Sequence, residues 1–336
     1  MSTLLWPDIH SEFIPQLSQR RLTKTYRALG TTINLTLFGT AYESQLDKAF
    51  ELIQFYEDLL TVNRTNSEVM AINQAAGKHP VQVSYPTFNL IQKAWQVSCQ
   101  NRGFNAAIGP LVKLWKIGFA GAKLPKKADI EAKLQLIDAQ KIQINPTNLS
   151  VYLPLKGMEL DLGGIAKGYI ADRIQDLWRA YDLHNGIIDL GGDLLLMGSQ
   201  PIHPDQLWRI GIQDPNNTRG QAIAAVKMPP CSIVTSGIYE RRFEYNGHSY
   251  HHILDSLSGY PKENDLASVT VFSKYSLDGE IETTNLFFAG HPQTNWTNAD
   301  LYGAVFVTKD QKIWLSGFKP SDLKILNPAF EIQTRP

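Results

Sequence analysis

The sequence lacks several features that mark common protein classes. Only two of its 336 residues are cysteines, Cys99 and Cys231, and they lie far apart without the spacing of a metal-binding motif. We therefore expect two reduced, buried thiols rather than a disulfide framework or a zinc site. The 32 basic residues are balanced by 32 acidic residues. This balance gives no electrostatic reason to expect nucleic acid or an anionic membrane as a partner.

Long hydrophobic runs are also missing. No stretch reaches the roughly 20 apolar residues that a membrane-spanning helix needs. The N-terminus has neither a basic start followed by an apolar run nor a small-residue cleavage site. These absences predict a protein without a membrane segment that works in the cytoplasm.

The apolar content is sufficient for a large core, since 43% of the residues are hydrophobic. We expect residues 1–25 to form an irregular leader and residues 26–336 to form a single domain of two closely packed lobes. Apolar spacing predicts a strand at 32–38, helices at 43–60, 86–101, 128–136 and 278–289, and strands at 158–162, 187–190, 194–196, 207–212, 222–228, 241–246, 267–273 and 303–308. Because strands and helices do not alternate regularly, the fold class is α+β.

The first candidate site is the segment 161–168, DLGGIAKG, which follows the predicted strand 158–162. The spacing of Ile170, Ile174, Leu177 and Tyr181 predicts a helix after it. Glycines at a strand-to-helix turn allow a ligand to approach the backbone closely, and a helix N-terminus beside Lys167 suits a phosphate group. The segment matches neither the dinucleotide fingerprint nor the phosphate loop. A tight turn with a helix cap therefore stays the alternative.

Two later segments carry hydroxyl groups and histidines. Residues 232–241 place Ser236 and Tyr239 after a short apolar strand, a pattern that also fits an ordinary turn. In residues 251–261, His251 and His252 point to opposite faces of a strand, so at most one of them serves a given site. A histidine near a carboxylate is a candidate general base, whereas a hydrogen-bonded core or surface histidine is the alternative.

Acidic and hydroxyl side chains meet in residues 278–284, DGEIETT. On a helix, Glu280 and Thr284 are four residues apart and share one face. A carboxylate and a hydroxyl are hard oxygen ligands, which suit Mg²⁺ and not zinc. A solvated, acidic helix start is the alternative.

Taken together and in this order, the segments resemble the ApbE family, the FAD:protein FMN transferases. The resemblance runs from about residue 27 to about residue 320. It rests on the blocks LGT (29–31), FNAAIGPLVKLW (104–115), DLGGIAKGYIAD (161–172), DLGGD (189–193), TSGIYER (235–241), HHILDSLSGYP (251–261) and SVTVF (268–272), followed by the helix 278–289.

The resemblance implies a two-lobed α+β fold with mixed or antiparallel sheets and FAD bound between the lobes. It implies that Mg²⁺ bridges the FAD pyrophosphate. A Ser or Thr hydroxyl of an acceptor flavoprotein, within a Ser/Thr-Gly-Ala-Ser/Thr type segment, would attack the FMN phosphorus and release AMP. FAD is then a substrate, and the product is a flavinylated protein.

The resemblance also assigns roles to particular residues. The metal ligands would be Glu280, Thr284 and the backbone carbonyl of Gly164, and His252 would be the catalytic base beside the catalytic Glu280. FAD contacts would come from Leu29, Asn63, Gly103, Phe104, Asn105, Asp161, Lys167, Ser236, Tyr239 and Leu254.

Four positions depart from the family pattern. Glu280 stands where the family usually has Asp, with Asp278 as a possible substitute two residues earlier. Asn105 replaces an Asp, and Asn63 replaces an aromatic residue that would stack on adenine. Residues 255–259 lack the proline of the family turn. Two other functions stay open: an FAD pyrophosphatase that gives FMN and AMP, and a flavin-binding protein without catalysis.

Overall fold

The structure is a computed structural model that describes residues 20–293 and 299–333. The strands are β1 (Arg21–Ala28), β2 (Thr31–Phe38), β3 (Val81–Gln82), β4 (Gln143–Asn145), β5 (Ser150–Tyr152), β6 (Gly186–Leu190), β7 (Leu194–Met197), β8 (Trp208–Gln213), β9 (Ala222–Met228), β10 (Ser232–Gly237), β11 (Arg242–Tyr245), β12 (His248–His251), β13 (Leu266–Ser273), β14 (Leu301–Thr308), β15 (Lys312–Ser316), β16 (Leu323–Ile325) and β17 (Glu331–Ile332). The helices are α1 (Glu43–Leu60), α2 (Glu68–Ala75), α3 (Tyr85–Ser98), α4 (Gly109–Trp115), α5 (Lys127–Leu134), α6 (Ala166–Ala180) and α7 (Ser276–Ala289).

A nine-stranded sheet organises these residues in the order β1-β2-β6-β7-β10-β13-β14-β15-β17. Its neighbours pair antiparallel, except that β15 and β17 are parallel. Smaller sheets join β16-β9-β8, β3-β5-β4 and β11-β12. Helices and mixed sheets without regular alternation confirm the predicted α+β class.

The strongest sequence patterns formed the expected elements. In β2, the alternating Ile33, Leu35 and Leu37 are buried, because successive side chains of a strand point to opposite faces. Helix α1 has the predicted bounds and buries Leu46 and Ile53 on one face. Helix α7 ends where expected, because Gly290 adopts the left-handed conformation (φ 77°) that closes many helices.

The predicted strand at 158–162 is wrong. Met158, Leu160 and Leu162 are buried as their alternation suggested, but the segment pairs with no strand among the described residues. The Asn73 side chain takes the place of a partner strand. Its amide nitrogen donates to the Leu160 carbonyl at 3.0 Å, and its amide oxygen accepts from the Leu160 N–H at 2.7 Å. One side chain therefore satisfies a backbone that periodicity alone assigns to a sheet.

Three smaller expectations also needed correction. Residues 21–25, placed in an irregular leader, form the first part of β1, while residues 1–19 lie outside the described residues. Tyr181 ends α6 with 45% of its surface exposed and does not join the buried face. Cys231 is buried as expected, but Cys99 is only half-buried; neither forms a disulfide.

The helices of the described residues are short or polar compared with a membrane span. None of the helices there combines the length and the apolar content needed to cross a bilayer.

Candidate active site

A cavity of about 570 Å³ opens between the end of α1, helix α4 with the loop that follows it, and the start of α6. Four of the residues predicted to bind FAD line it: Leu29, Asn63, Asp161 and Lys167. The rest of the wall includes Tyr56, Glu57, Val112, Lys113, Lys116, Phe119, Glu159 and Arg241. The cavity therefore combines an apolar surface with both cationic and acidic side chains.

Leu29 lines the cavity in an uncommon backbone conformation. Its φ of 54° places it in the left-handed region, where a residue without a special reason is seldom found. The Leu29 N–H donates to Glu57 Oε1 of α1 at 3.1 Å, which holds the β1–β2 turn against the cavity. Asn63 is exposed and lines the cavity from the loop just after α1.

Asp161 is held by the backbone around it. Its Oδ1 accepts from the Gly163 N–H at 2.8 Å, and its own N–H donates to the Ala106 carbonyl. Burial raises the pKa of Asp161, while the Gly163 N–H and the positive charge of Arg241 act in the opposite direction. The carboxylate thus shapes the Gly163–Gly164 turn that precedes α6.

Lys167 connects the cavity with a second polar region, which we call the α6–α7 junction. The junction consists of Lys167, Gly168, Asp193, Ser276 and Glu280. The Lys167 ammonium donates to Asp193 Oδ2 and lies 3.6 Å from Glu280 Oε1. A methyl group at Gly168 would lie 2.5 Å from the Ser276 carbonyl oxygen, so only glycine allows the two helices to approach this closely.

Glu280 is the most unusual carboxylate of the junction. It is 4% exposed, and its Oε2 has no hydrogen-bond partner among the described residues. Burial raises the pKa of Glu280 to about 7, although the Lys167 ammonium and the Gly168 N–H oppose the shift. A buried carboxylate oxygen without a partner is costly, and a cation bound to it would remove that cost.

Hydroxyl side chains follow Glu280 along α7. Thr284 Oγ1 donates to the Glu280 carbonyl one turn earlier at 3.2 Å, which confirms that both residues lie along one side of α7. Ser236 of β10 donates to Thr283 Oγ1 at 2.9 Å. Asp278, the alternative carboxylate, is paired instead with Lys93 at 3.3 Å.

These donors suit a magnesium ion better than a softer metal. No cluster of three or more His, Cys, Asp or Glu side chains is found in the described parts of the chain. A site of one carboxylate, one hydroxyl and one backbone carbonyl would not produce such a cluster, and oxygen ligands are those that Mg²⁺ prefers. The unpartnered Glu280 Oε2 and the ammonium already lying beside Glu280 both indicate a place that favours positive charge.

His252 lies just beyond the end of β12. Its Nδ1 is 3.2 Å from the Arg241 carbonyl, and because a carbonyl can only accept, Nδ1 carries the hydrogen. Burial and the charges of Arg241 and Lys167 lower the pKa of His252 to about 4. The ring is therefore neutral at pH 7, with Nε2 able to accept a proton.

The other predicted residues lie around these two regions without lining the cavity in the part of the chain described. The Phe104 ring would lie 3.4 Å from a Cβ atom at position 164, which is glycine. The Phe288 ring packs against Gly103, where a Cβ atom would overlap it. Asn105 is engaged with the Ala107 N–H and the Ile137 carbonyl. Tyr239 packs on Gly237, and Leu254 belongs to the apolar cluster around Trp115.

Sequence reasoning gave no role to several residues that the structure places in the site. Asp193 follows the Gly191–Gly192 turn and faces Lys167; an acid directly after paired glycines was the available signal. Glu57, Phe119 and Arg241 reach the cavity from separate parts of the chain, and no local pattern connects them.

Known proteins support the resemblance that the motifs indicate. The sequence profile of the ApbE family matches residues 29–306. The FAD:protein FMN transferase of Klebsiella pneumoniae (strain 342) is 46% identical over 302 residues, which cover 88% of this chain and 93% of that protein. The FAD:protein FMN transferase of Treponema pallidum (strain Nichols) is 31% identical over 332 residues, with 94% and 92% covered.

The fold agrees as well. The crystal structure of the ApbE protein of Thermotoga maritima superposes with a TM-score of 0.78 at 26% identity and covers 88% of this chain and 96% of that one. The profile match, the two relatives and the shared fold lead to one conclusion: this chain belongs to the ApbE family.

Proposed function

We propose that this chain is an FAD:protein FMN transferase, which moves the FMN half of FAD onto a Ser or Thr hydroxyl of an acceptor protein and releases AMP. The position of Lys167 is the observation that carries the proposal most directly. This side chain lines the cavity and also contacts Asp193 and Glu280. A diphosphate bound at this wall of the cavity would lie beside a buried carboxylate that favours a cation.

The cavity is suited to part of a dinucleotide. Its volume of about 570 Å³ lies within the range of small-molecule sites. Apolar residues such as Val112 and Phe119 offer surface to a flat ring, and Lys113, Lys167 and Arg241 offer positive charge to phosphate.

The magnesium ion expected for this reaction would be held by Glu280, Thr284 and the Gly164 carbonyl. When bound there, it would neutralise charge on the diphosphate. Lys167 contributes a positive charge of its own from α6, and the start of that helix favours an anion nearby.

The transfer forms a phosphoester bond and breaks the phosphoanhydride bond of FAD. The acceptor oxygen forms a bond to the FMN phosphorus, and the bond from that phosphorus to the bridging oxygen breaks, so that AMP leaves with the bonding electrons. Nε2 of His252 is the proposed acceptor for the hydroxyl proton, because Nδ1 is already engaged with the Arg241 carbonyl. The acceptor protein is proposed to carry a Ser/Thr-Gly-Ala-Ser/Thr type segment and to meet the enzyme in the cytoplasm.

The test separates transfer from hydrolysis and from simple binding. The protein is incubated with FAD and Mg²⁺, with an acceptor that carries the segment or with the same acceptor after its hydroxyl residue is replaced by Ala. We expect AMP and acceptor-bound flavin in equal amounts, and only with the intact acceptor. Release of FMN and AMP at the same rate without an acceptor would indicate a pyrophosphatase. Bound FAD with no AMP in any sample would reject the enzyme.

A further inference from the structure

Helix α7, which carries Glu280 and Thr284, has no N-cap of its own. The residue at its N-cap position is Tyr275, whose side chain makes no capping hydrogen bond. The first N–H groups of a helix have no partner within it and need one from outside. In this protein the partner comes from another helix.

That partner is Asp172 of α6. One carboxylate oxygen, Oδ1, accepts from the Ser276 N–H at 2.8 Å, and the other, Oδ2, accepts from the Leu277 N–H at 3.1 Å. Asp172 is only 6% exposed. Both oxygens of this carboxylate are thus bonded to the backbone of α7, which indicates a structural role for Asp172.

Asp172 also lies on the helix that supplies Lys167 and Gly168 to the junction. From α6, Lys167 contacts Glu280, Gly168 meets the Ser276 carbonyl, and Asp172 holds the first turn of α7. Gly168 and Asp172 both contact the backbone of α7 at its start, and they lie one helical turn apart along α6. Glu280 follows Ser276 by one turn, so its distance from Lys167 depends on where α7 begins.

We propose that Asp172 is a positioning residue for the transfer, which sets the distance between Lys167 and Glu280 by capping α7 from α6. This inference rests on the proposed function. A displacement of about 1 Å at a reacting centre is enough to reduce a rate on the order of 100-fold. The loss of Asp172 should therefore lower kcat by more than the accompanying loss of stability explains.

The test compares Asp172→Ala and Asp172→Asn with a matched variant, Asp214→Ala. Asp214 is also a buried Asp (3% exposed) that accepts a backbone N–H, from Asn216, but it lies in the β8–β9 region outside the cavity and the junction. For each protein we would measure the thermal midpoint, kcat, KM for FAD, and the binding of Mn²⁺ to the FAD complex by electron paramagnetic resonance.

Asp172→Ala should lower kcat by about 10- to 100-fold and weaken Mn²⁺ binding, while KM for FAD changes by less than about twofold. Asp172→Asn keeps one acceptor oxygen for the Ser276 N–H and should recover most of both losses. Asp214→Ala should lower the thermal midpoint to a similar extent and leave kcat and Mn²⁺ binding unchanged.

Two results would overturn the proposal: unchanged kcat and Mn²⁺ binding in Asp172→Ala, or losses in Asp214→Ala that match those of Asp172→Ala. A folded Asp172→Asn protein as impaired as Asp172→Ala would also overturn it, because a retained cap would then give no benefit. Failure of the proposed function is a separate outcome. If the wild type transfers no FMN and Asp172→Ala still weakens Mn²⁺ binding, the positioning role stands and the transferase does not.

Discussion

The cavity and the α6–α7 junction are neighbouring polar regions, but they are built in opposite ways. In the cavity wall some charged and aromatic side chains are widely exposed: Lys113 is 45% exposed and Phe119 is 47% exposed. In the junction the polar groups are enclosed and contact one another, with Glu280 at 4% exposure and Asp193 at 11%. Lys167 is the residue that belongs to both.

This difference suggests a division of labour. An open wall of charged and aromatic side chains can accept a large organic ligand and bind it through several contacts. An enclosed cluster of charges acts at short range in a medium of low polarity, where each charge matters more. Changes in the junction should therefore reduce the rate of transfer, and changes in the cavity should reduce the affinity for FAD.

The largest effect is expected for Glu280→Ala. Removing the buried carboxylate should lower the rate of FMN transfer by about 10²- to 10³-fold, because the proposed cation would lose its carboxylate ligand. Affinity for FAD without Mg²⁺ should change little. Steady-state rates and flavin fluorescence titrations measure the two quantities.

The control for Glu280 is Asp278→Ala on the same helix. Asp278 pairs with Lys93 and not with the junction, so its loss should reduce the rate by less than about threefold, as expected for a partly exposed ion pair. If Asp278→Ala abolished transfer and Glu280→Ala did not, the assignment of the metal ligand would have to be exchanged.

A moderate effect is expected in the cavity for Phe119→Ala. The Phe119 N–H donates to the Lys116 carbonyl at 2.9 Å, which fixes the loop, while nearly half of the residue stays uncovered. Stacking of a base on an aromatic ring contributes about 1–3 kcal/mol, so FAD affinity should fall roughly 10-fold with kcat nearly unchanged.

Phe55→Ala is the matched control for Phe119. Phe55 is similarly exposed, at 49%, but lies on α1 outside the cavity wall. Its replacement should leave FAD affinity as in the wild type. Equal losses in both variants, or a fall in kcat without a fall in affinity for Phe119→Ala, would remove the distinction between the two regions.

His251 lies outside both regions, so His251→Gln should have the smallest effect on FMN transfer. In His251, Nε2 donates to the Lys262 carbonyl and Nδ1 accepts from the Ile253 N–H, an arrangement that requires the neutral ring. Burial lowers the pKa of His251 to about 4 from its ordinary value of 6.5. The unfolded chain therefore binds more protons than the folded one between these values, and stability falls as the pH falls from 6.5 towards 4.

His251→Gln should remove this contribution. When the pH is lowered from 7 to 5, the unfolding free energy of the wild type should fall by about 2 kcal/mol more than that of the variant. Urea denaturation at the two pH values measures this difference. The exposed His248 of the same strand supplies the control, and His248→Gln should follow the wild type. An identical pH dependence in all three proteins would contradict the buried neutral ring.

The sequence predicted part of each region and missed the rest. Lys167 and Glu280 lie in short segments whose residue types already suggest phosphate and cation binding, and α7 formed where its pattern indicated. The cavity wall joins Glu57, Phe119 and Arg241 from distant parts of the chain. Only tertiary packing brings them together, so no local pattern could identify them.

The wrong prediction of a strand at 158–162 also results from contacts between distant parts of the chain. Alternation correctly predicted which side chains are buried there, because it reports the faces of an extended chain. It could not report what satisfies the backbone, which in this case is the Asn73 side chain from 87 residues away. Likewise, the cap of α7 by Asp172 spans 104 residues and leaves no mark in the sequence around Ser276.

The most direct test of the central claim asks which phosphorus of FAD the acceptor attacks. Two FAD samples, one with radioactive phosphorus on the flavin side and one with it on the adenosine side, are incubated with the protein, Mg²⁺ and the acceptor. The account predicts that the flavin-side label becomes bound to the acceptor and that the adenosine-side label is recovered in AMP. Adenosine-side label on the acceptor, or neither label on it, would contradict the account.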